Sequence, residues 1–435
     1  MFWDEGVETI SRRELEKLQG ERLRESVARA AQSPFYKKRF AEAGLAPERI
    51  KGLADLSRIP FTTKDDLRIS YPYGMLAVPL REVVRMHASS GTTGTPTVIY
   101  HTAADIDGWA GLCARSIVAA GVGPDDVFQN MMSYGLFTGG LGLHYGAEKV
   151  GCLTIPAGPG NTARQIKFMQ DFGTTAVHMT PSYALHVADC VREAGIDPAG
   201  LTLRVAFFGA EPYSAGTARK LEAMFGLTAI NSYGLSEMNG PGVAFECSER
   251  TGMHLWEDHY IMEVVDPRTG GPAAEGEVGE LVLTTLQRTA MPVLRYRTRD
   301  LTRVIPGEPC PCGRTHRRID RIMGRTDDML IIRGVNVFPS QVEHVLMGLP
   351  EVGNNYQIVL DRVGHLDRMT IRVELYGKLF HGELRELRDI QRKIEEALRA
   401  QLVLTPKVEL VEPGTLPASM GKAVRVIDNR QAEDE

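Results

Sequence analysis

The sequence predicts an α/β protein with a large N-terminal lobe of mostly parallel sheets and helices, a β-rich subdomain, and a small α+β C-terminal domain. Three observations carry this reading. From about residue 83 to 208, short apolar runs alternate with helical stretches, the pattern of βαβ units on a parallel sheet. After Gly240 the texture changes to short strands broken by turns such as Asp266-Pro267-Arg268-Thr269-Gly270-Gly271. Beyond Gly324 it shifts again, to mixed strands and a charged helical stretch over 382–402. A chain of 435 residues is also too long for one hydrophobic core of usual size.

Taken in order, residues 11–44 show helical spacing, with Leu15, Leu18, Leu23 and Val27 on one stripe. Ser11 followed by Glu14 reads as a capping box. Strands are expected at 98–100, 127–132, 153–156, 176–179 and 204–208, with helices over 103–120, 162–172 and 182–194 between them. The β-rich subdomain covers about 243–320. The N-terminal domain is expected over 1–325 and the C-terminal domain over 326–435, where strands fall at 329–333, 358–360 and 370–374. There is no internal repeat.

Composition narrows the function classes. Fifty basic residues stand against 55 acidic ones, and the basic ones are scattered rather than gathered into a nucleic-acid-binding patch. No apolar run is long enough to cross a bilayer. The opening Met1-Phe2-Trp3-Asp4-Glu5-Gly6 lacks the basic start and apolar core of a signal peptide. Six cysteines in a chain of this size do not suggest a disulfide scaffold. A soluble cytoplasmic protein is expected, without nucleic-acid or membrane partners and with a homodimer left open.

Ser89-Ser90-Gly91-Thr92-Thr93-Gly94-Thr95-Pro96 follows a strand-like run. Its glycines free the backbone to turn N–H groups onto one anion, and four of its first five residues add hydroxyl donors. It is not a Walker loop, because Gly-Lys-Ser/Thr is missing. Composition alone equally allows a polar surface loop. Gly209-Ala210-Glu211-Pro212 follows another apolar run, at a strand end of the kind where ligands sit in open α/β sheets. Glu237, in Tyr233-Gly234-Leu235-Ser236-Glu237, offers the hard oxygen that Mg²⁺ prefers. Glu237 and Lys422, each taken alone, would be ordinary surface residues. Asp300 closes Arg295-Tyr296-Arg297-Thr298-Arg299-Asp300 and can accept a pair of ribose hydroxyls. Cys310-Pro311-Cys312-Gly313 sets two thiols on one turn, and Cys247 and His254 lie in the same subdomain. Together they make a Cys₃His set suited to a closed structural zinc site; packing as small apolar groups is the competing reading.

The order of residues in the 89–96 loop resembles the phosphate loop of adenylate-forming enzymes. The downstream motifs appear in the order that superfamily requires: Gly209–Pro212, Tyr233–Glu237, Asp300, Gly324-Arg325-Thr326-Asp327-Asp328, Arg333–Pro339 and Leu416–Lys422. With Tyr134–Gly142, Gly234–Gly242 and Ser33–Tyr36 added, essentially the whole chain is similar to the phenylacetate–CoA ligases and to the enzyme that adenylates a deazaflavin coenzyme. Two departures stand out: Thr97 where many members carry lysine, and Arg299 where glycine commonly precedes the aspartate.

The resemblance implies the adenylate-forming fold with a mobile C-terminal domain, and ATP, Mg²⁺ and CoA as cosubstrates and cofactor. It implies that Ser89, Ser90, Gly91, Thr92, Thr93 and Gly94 hold phosphate. Gly209, Ala210, Glu211 and Pro212 would lie against adenine, with Tyr233 stacked on it beside Gly234 and Ser236. Glu237 would carry Mg²⁺, Asp300 and Arg325 the ribose, Asp327 the hinge, and Lys422 the catalytic charge. The acid would sit against Tyr134, Gly135, Phe137 and Gly140, whose composition equally allows a tightly packed buried loop but which, with the resemblance, makes an aromatic slot suited to an arylacetic acid. The implied reaction is ATP-dependent activation of that acid to an acyl-adenylate, then transfer to CoA with release of AMP and pyrophosphate. One alternative passes AMP or acyl to another acceptor, such as a deazaflavin coenzyme or a carrier protein. A second is a non-catalytic, zinc-organised nucleotide-binding protein.

Overall fold

The computed structural model describes residues 1–89, 95–307, 309–333, 335–363, 366–380, 384–402, 404–417 and 423–430. An eight-stranded sheet organises the large lobe. Its order is Arg318–Ile319, Met253–Leu255, Gly240–Glu246, Thr228–Leu235, Val205–Gly209, Ala176–Met179, Val127–Asn130 and Leu153–Ile155. The last five of these are parallel neighbours; the first three join antiparallel. The parallel strands read as continuous apolar runs because helices cover both faces. Phe207 faces helices Ala103–Ala119 and Gly139–Val150, packing with Trp109, Ile117 and Leu143. Phe208, one residue on, faces Thr162–Asp171, Pro181–Glu193 and Ala215–Phe225, packing with Met169, Tyr183 and Leu221. The period of two along the strand sorts the two cores.

Strands within 243–320 are shared between two sheets. Gly240–Glu246, Met253–Leu255 and Arg318–Ile319 extend the large one, while Tyr260–Val265, Gly279–Thr285, Tyr296–Thr302 and Gly324–Arg325 form an antiparallel sheet in that order. The N-terminal helical stretch is two helices, Arg12–Ala30 and Pro34–Glu42. Proline cannot continue a helix interior but suits a first turn, and the Ser33 hydroxyl caps that turn at Tyr36 N–H. Leu23, Val27 and Tyr36 bury against Trp256, Tyr260 and Leu281 of the antiparallel region.

After Gly324–Arg325 the chain forms a hairpin, Leu330–Ile332 with Val335–Val337, then helix Pro339–Leu346. A four-stranded sheet follows, in the order Lys407–Val411, Leu366–Leu375, Val352–Val363, Val426–Asp428. Helix Leu384–Leu402 covers it with Ile394, Leu398 and Leu402. These elements share their own core around Ile358, Ile371 and Val373. Among the described residues no helix is long and apolar enough to cross a membrane.

Helix Gly139–Val150 lies unusually close to helix Ala103–Ala119. A Cβ at Gly146 would stand 2.5 Å from Cys113 Cβ, and one at Gly142 would stand 2.6 Å from the Trp109 ring. Gly111, by contrast, faces open space. Gly146→Ala is therefore expected to destabilise by about 1–3 kcal/mol through overpacking, and Gly111→Ala to be neutral or to stabilise by up to about 1 kcal/mol. Urea-unfolding midpoints of the two variants check this.

Candidate active site

The carboxyl ends of the parallel strands open on two joined cavities. A Cβ at Gly209 would stand 2.5 Å from Ser232 O, so only glycine allows this approach of neighbouring strands. Ala210 then turns with φ +67°, and Glu211 points back across the sheet end. One Glu211 oxygen accepts Ser182 N–H at 2.7 Å in the first turn of helix Pro181–Glu193. The other accepts Ala423 N–H at 3.0 Å. The residue after Lys422 is thus held by the Gly209–Pro212 turn.

The smaller cavity, about 130 Å³, is bordered by Ala210, Pro212, Tyr233, Gly234, Asp300 and Arg325. Tyr233 OH donates to Asp300 Oδ2 at 2.6 Å. Arg325, opposite Asp300 in the strand register, donates from Nη1 to Oδ1 at 2.8 Å. The rest of its guanidinium grips Asp327 at 2.9 and 3.1 Å. Burial pushes the Asp300 carboxyl up to about 6 although Arg325 opposes the shift. Burial beside that carboxylate also raises the Tyr233 phenol well above its usual range.

Glu237 sits in the turn Ser236–Met238, buried. Its carboxylate accepts Tyr296 OH at 3.1 Å and has Lys64 Nζ at 3.9 Å. Its carbonyl accepts Arg288 Nη1 at 2.9 Å. The chain must reverse here, because a Cβ at Gly234 would fall 2.0 Å from Gly240 O. Among the described residues its carboxylate partners are one phenol and one lysine at 3.9 Å, an environment in which a hard carboxylate oxygen suits a divalent cation.

The larger cavity, about 470 Å³, shares Ala210, Ser232, Gly234 and Leu235 with the smaller one. Ser89, Phe137 and Ser236 border it, as the motifs suggest. Ser89 N–H donates to Thr97 O at 3.0 Å and the two hydroxyls meet, so Thr97 closes the base of the loop. Ser90, Gly91, Thr92, Thr93, Gly94 and Lys422 lie outside the described residues. Tyr134, Gly135 and Gly140 are not among the lining residues. Tyr134 OH turns to His144 Nδ1 at 3.3 Å, Gly135 makes a turn with φ +103°, and Gly140 O accepts Asn130 Nδ2 at 2.6 Å. Met131, Met132, His178, Tyr183 and Pro241 line the cavity instead. They come from separate strand ends and helix starts, and no local motif marks them.

A third cavity of about 510 Å³, bordered by Glu211, Arg325, Asp327, Glu343 and Arg425, lies where the C-terminal elements meet the large lobe. Glu343 accepts Ser214 N–H at 2.9 Å and Thr217 Oγ1 at 2.7 Å, at the start of helix Ala215–Phe225. Lys220 on that helix donates to the carbonyls of Val352 and Gly353 at 3.0 and 2.8 Å.

Cys247, His254, Cys310 and Cys312 converge, with their ligand atoms all within 4.8 Å of one another. Cys247 Sγ lies 3.7 Å from Cys310 Sγ, and Cys312 Sγ lies 3.4 Å from His254 Nε2. Tetrahedral zinc with thiolate bonds near 2.3 Å requires sulfurs about 3.8 Å apart. His254 Nδ1 bonds His316 O at 3.0 Å, which turns Nε2 toward the thiols.

Residues 57–289 match the AMP-binding enzyme family and residues 334–430 match the AMP-binding enzyme C-terminal domain. The chain is 46% identical over 433 residues to a phenylacetate–coenzyme A ligase of Aromatoleum evansii, covering 99% of this chain and 98% of that one. It also resembles a crystal structure of a 2-hydroxyisobutyryl-CoA ligase in the postadenylation state in complex with 2-HIB-AMP. The TM-score is 0.93 at 31% identity, covering 98% of this chain and 92% of that one. With the same ligase in its thioesterification state, in complex with 2-HIB-AMP and CoA, the TM-score is 0.72 at 32% identity, over 99% and 93% of the two chains.

The raised Asp300 carboxyl has a consequence for stability. The native state binds this proton more tightly than the unfolded chain, so between pH about 4 and about 6 the group's contribution to stability falls as pH rises. Asp300→Asn is expected to remove one proton's worth of that slope, as read by urea unfolding at a series of pH values.

Proposed function

This chain belongs to the phenylacetate–coenzyme A ligase family of AMP-binding enzymes, and from that premise we propose how its residues divide the work. It is an AMP-forming acid–CoA ligase. A carboxylate oxygen of the acid attacks the α-phosphorus of ATP and pyrophosphate leaves. The CoA thiol then attacks the acyl carbon of the resulting anhydride and AMP leaves. An anion must approach a polyanion in the first step, so charge stabilisation dominates the barrier.

The observation that supports the assignment is the pair of joined cavities at the strand ends, the smaller bordered by Tyr233, Asp300 and Arg325, the larger by Met131, Met132, Phe137 and Tyr183. In this reading the ribose hydroxyls bind Asp300 and Arg325, and adenine lies between the Gly209–Pro212 turn and Tyr233. The loop from Ser89 to Gly94 receives the phosphates. Mg²⁺ held by Glu237 would neutralise phosphate charge. Lys422 supplies the cation at the meeting oxygens, its neighbour Ala423 being held by Glu211. Met131, Met132, Phe137, Tyr183 and Pro241 give the acid an apolar and aromatic enclosure, which favours an arylacetic acid.

The domain boundary in this proposal falls at 325/326, with Asp327 as pivot. The two TM-scores against one ligase in two states support an adenylation-type arrangement for this chain. Glu343 at the helix start and Lys220 on the Val352 and Gly353 carbonyls are contacts that a rotating C-terminal domain must release. We further propose zinc on Cys247, His254, Cys310 and Cys312, supported by the spacing of the ligand atoms. It would tie the end of strand Gly240–Glu246 to the loop that leads to Arg314 and His316.

Three outcomes are expected. Protein with ATP, Mg²⁺, CoA and phenylacetate releases AMP and pyrophosphate; a broad acid panel giving no CoA-dependent AMP would sink the ligase assignment. Lys422→Ala lowers adenylation by at least about 10²-fold while sparing thioester formation from a supplied acyl-adenylate; equal loss of both contradicts the two-state division. Metal analysis of protein purified without chelator finds zinc at about one per chain, and Cys312→Ser loses it with a lower Tm.

A further inference from the structure

His178 lies in strand Ala176–Met179, beside Asn130 in the parallel register, and borders the 470 Å³ cavity. The orientation of the Asn130 amide is determined by two contacts. Its Nδ2 donates to Gly140 O at 2.6 Å, and its Oδ1 accepts Met132 N–H at 3.2 Å. A carbonyl only accepts and a main-chain N–H only donates, so oxygen and nitrogen cannot be exchanged. Asn130 Oδ1 therefore faces His178 Nδ1, 3.1 Å away, and the proton of the neutral ring must sit on Nδ1. Nε2 is left as a lone-pair acceptor. The ring is 2% exposed, and burial pushes its pKa down to about 3, so it stays neutral at working pH. Nε2 has no partner among the described residues.

An uncharged ring acceptor in a cavity that otherwise carries only hydroxyls, such as Ser133, Thr138 and Thr180, and apolar groups has a restricted choice of ligands. It repels carboxylate and phosphate oxygens, whose lone pairs would meet its own, so the reacting end of the acid belongs toward Ser236 and Gly234, where the cavities join. It leaves an unmet hydrogen bond beside a plain ring. It is satisfied by a hydroxyl.

We propose that His178 is a specificity-determining residue whose Nε2 accepts a hydrogen bond from a hydroxyl group on the acid, so that the preferred substrates are hydroxyl-bearing aromatic acids. This rests on the ligase assignment above and names the substrate class of the same cavity. The test compares kcat/KM, read by CoA-dependent AMP release, for phenylacetate, its ring-hydroxylated isomers and the matching ring-methylated isomers, which have similar size and no donor. At least one hydroxyl isomer is expected to exceed its methyl counterpart by about tenfold, the worth of one neutral hydrogen bond. His178→Asn keeps a donor for Asn130 Oδ1 but lacks the Nε2 acceptor. It is expected to erase that advantage, bringing the hydroxyl-to-methyl ratio of kcat/KM to about one, whatever the variant does to both rates in common. A wild-type enzyme with no hydroxyl isomer above its methyl partner overturns the proposal, without any variant being needed. So does an advantage that persists in His178→Asn. Absence of AMP with every acid would instead overturn the ligase assignment, and this proposal with it.

Discussion

A carboxylate buried where three pieces of the chain meet is the constraint on which the rest of this structure turns. Asp300 comes from the antiparallel sheet, its Tyr233 partner from the eight-stranded sheet, and its Arg325 partner from the short strand that leads into the C-terminal elements. A buried charge without partners costs several kcal/mol, so the group forms only if all three pieces are in register. Each contact also shapes the smaller cavity, since Tyr233, Asp300 and Arg325 are its walls. Folding and the shape of that cavity are thereby made to depend on one arrangement. Arg325 extends the dependence further, because its remaining donors hold Asp327 at the start of the C-terminal region.

Similar economy appears at the other joints. Glu343 acts on the helix Ala215–Phe225 as a cap supplied from a distant part of the chain, meeting the Ser214 N–H and the Thr217 hydroxyl at its start. Glu211 does the same for helix Pro181–Glu193 and spends its second oxygen on Ala423. The Glu343 contact and the Glu211 contact to Ser182 are hydrogen bonds at helix starts, and the second Glu211 oxygen crosses to the C-terminal segment. The N-terminal segment is secured differently. Arg314 pairs with Glu8 at 2.7 Å, both fully buried, and His316 Nε2 meets Val7 O. Both Arg314 and His316 follow the Cys310–Cys312 turn, so a metal there would stiffen the anchor of the chain's first helices.

The 470 Å³ cavity illustrates what motifs leave unsaid. Phe137 lines it, whereas Tyr134 spends its hydroxyl on His144 and Gly140 offers its carbonyl to Asn130. The glycine-rich segment thus serves largely as scaffolding for Asn130, and Asn130 in turn orients His178. Nothing in the local sequence around His178 announces this, because its significance lies in a partner 48 residues away.

Residue order by itself determined the fold class and the alternation of strands and helices, which have local physical causes, and it singled out the 89–96 loop, the Gly209–Pro212 turn, Glu237, Asp300 and Arg325 only as a set, through their resemblance to one family. It also picked out the four cysteine and histidine residues, because ligand chemistry is written in residue type. It placed one helix where Pro34 makes two, and it assigned the strands of 243–320 to one subdomain where two sheets share them. Only the tertiary structure decided which side chains line the 470 Å³ cavity, which nitrogen of His178 faces Asn130, and which carboxylates join the lobes. Those properties belong to contacts between residues far apart in the chain, and hydrogen-bond direction at such contacts depends on geometry that composition and spacing do not contain.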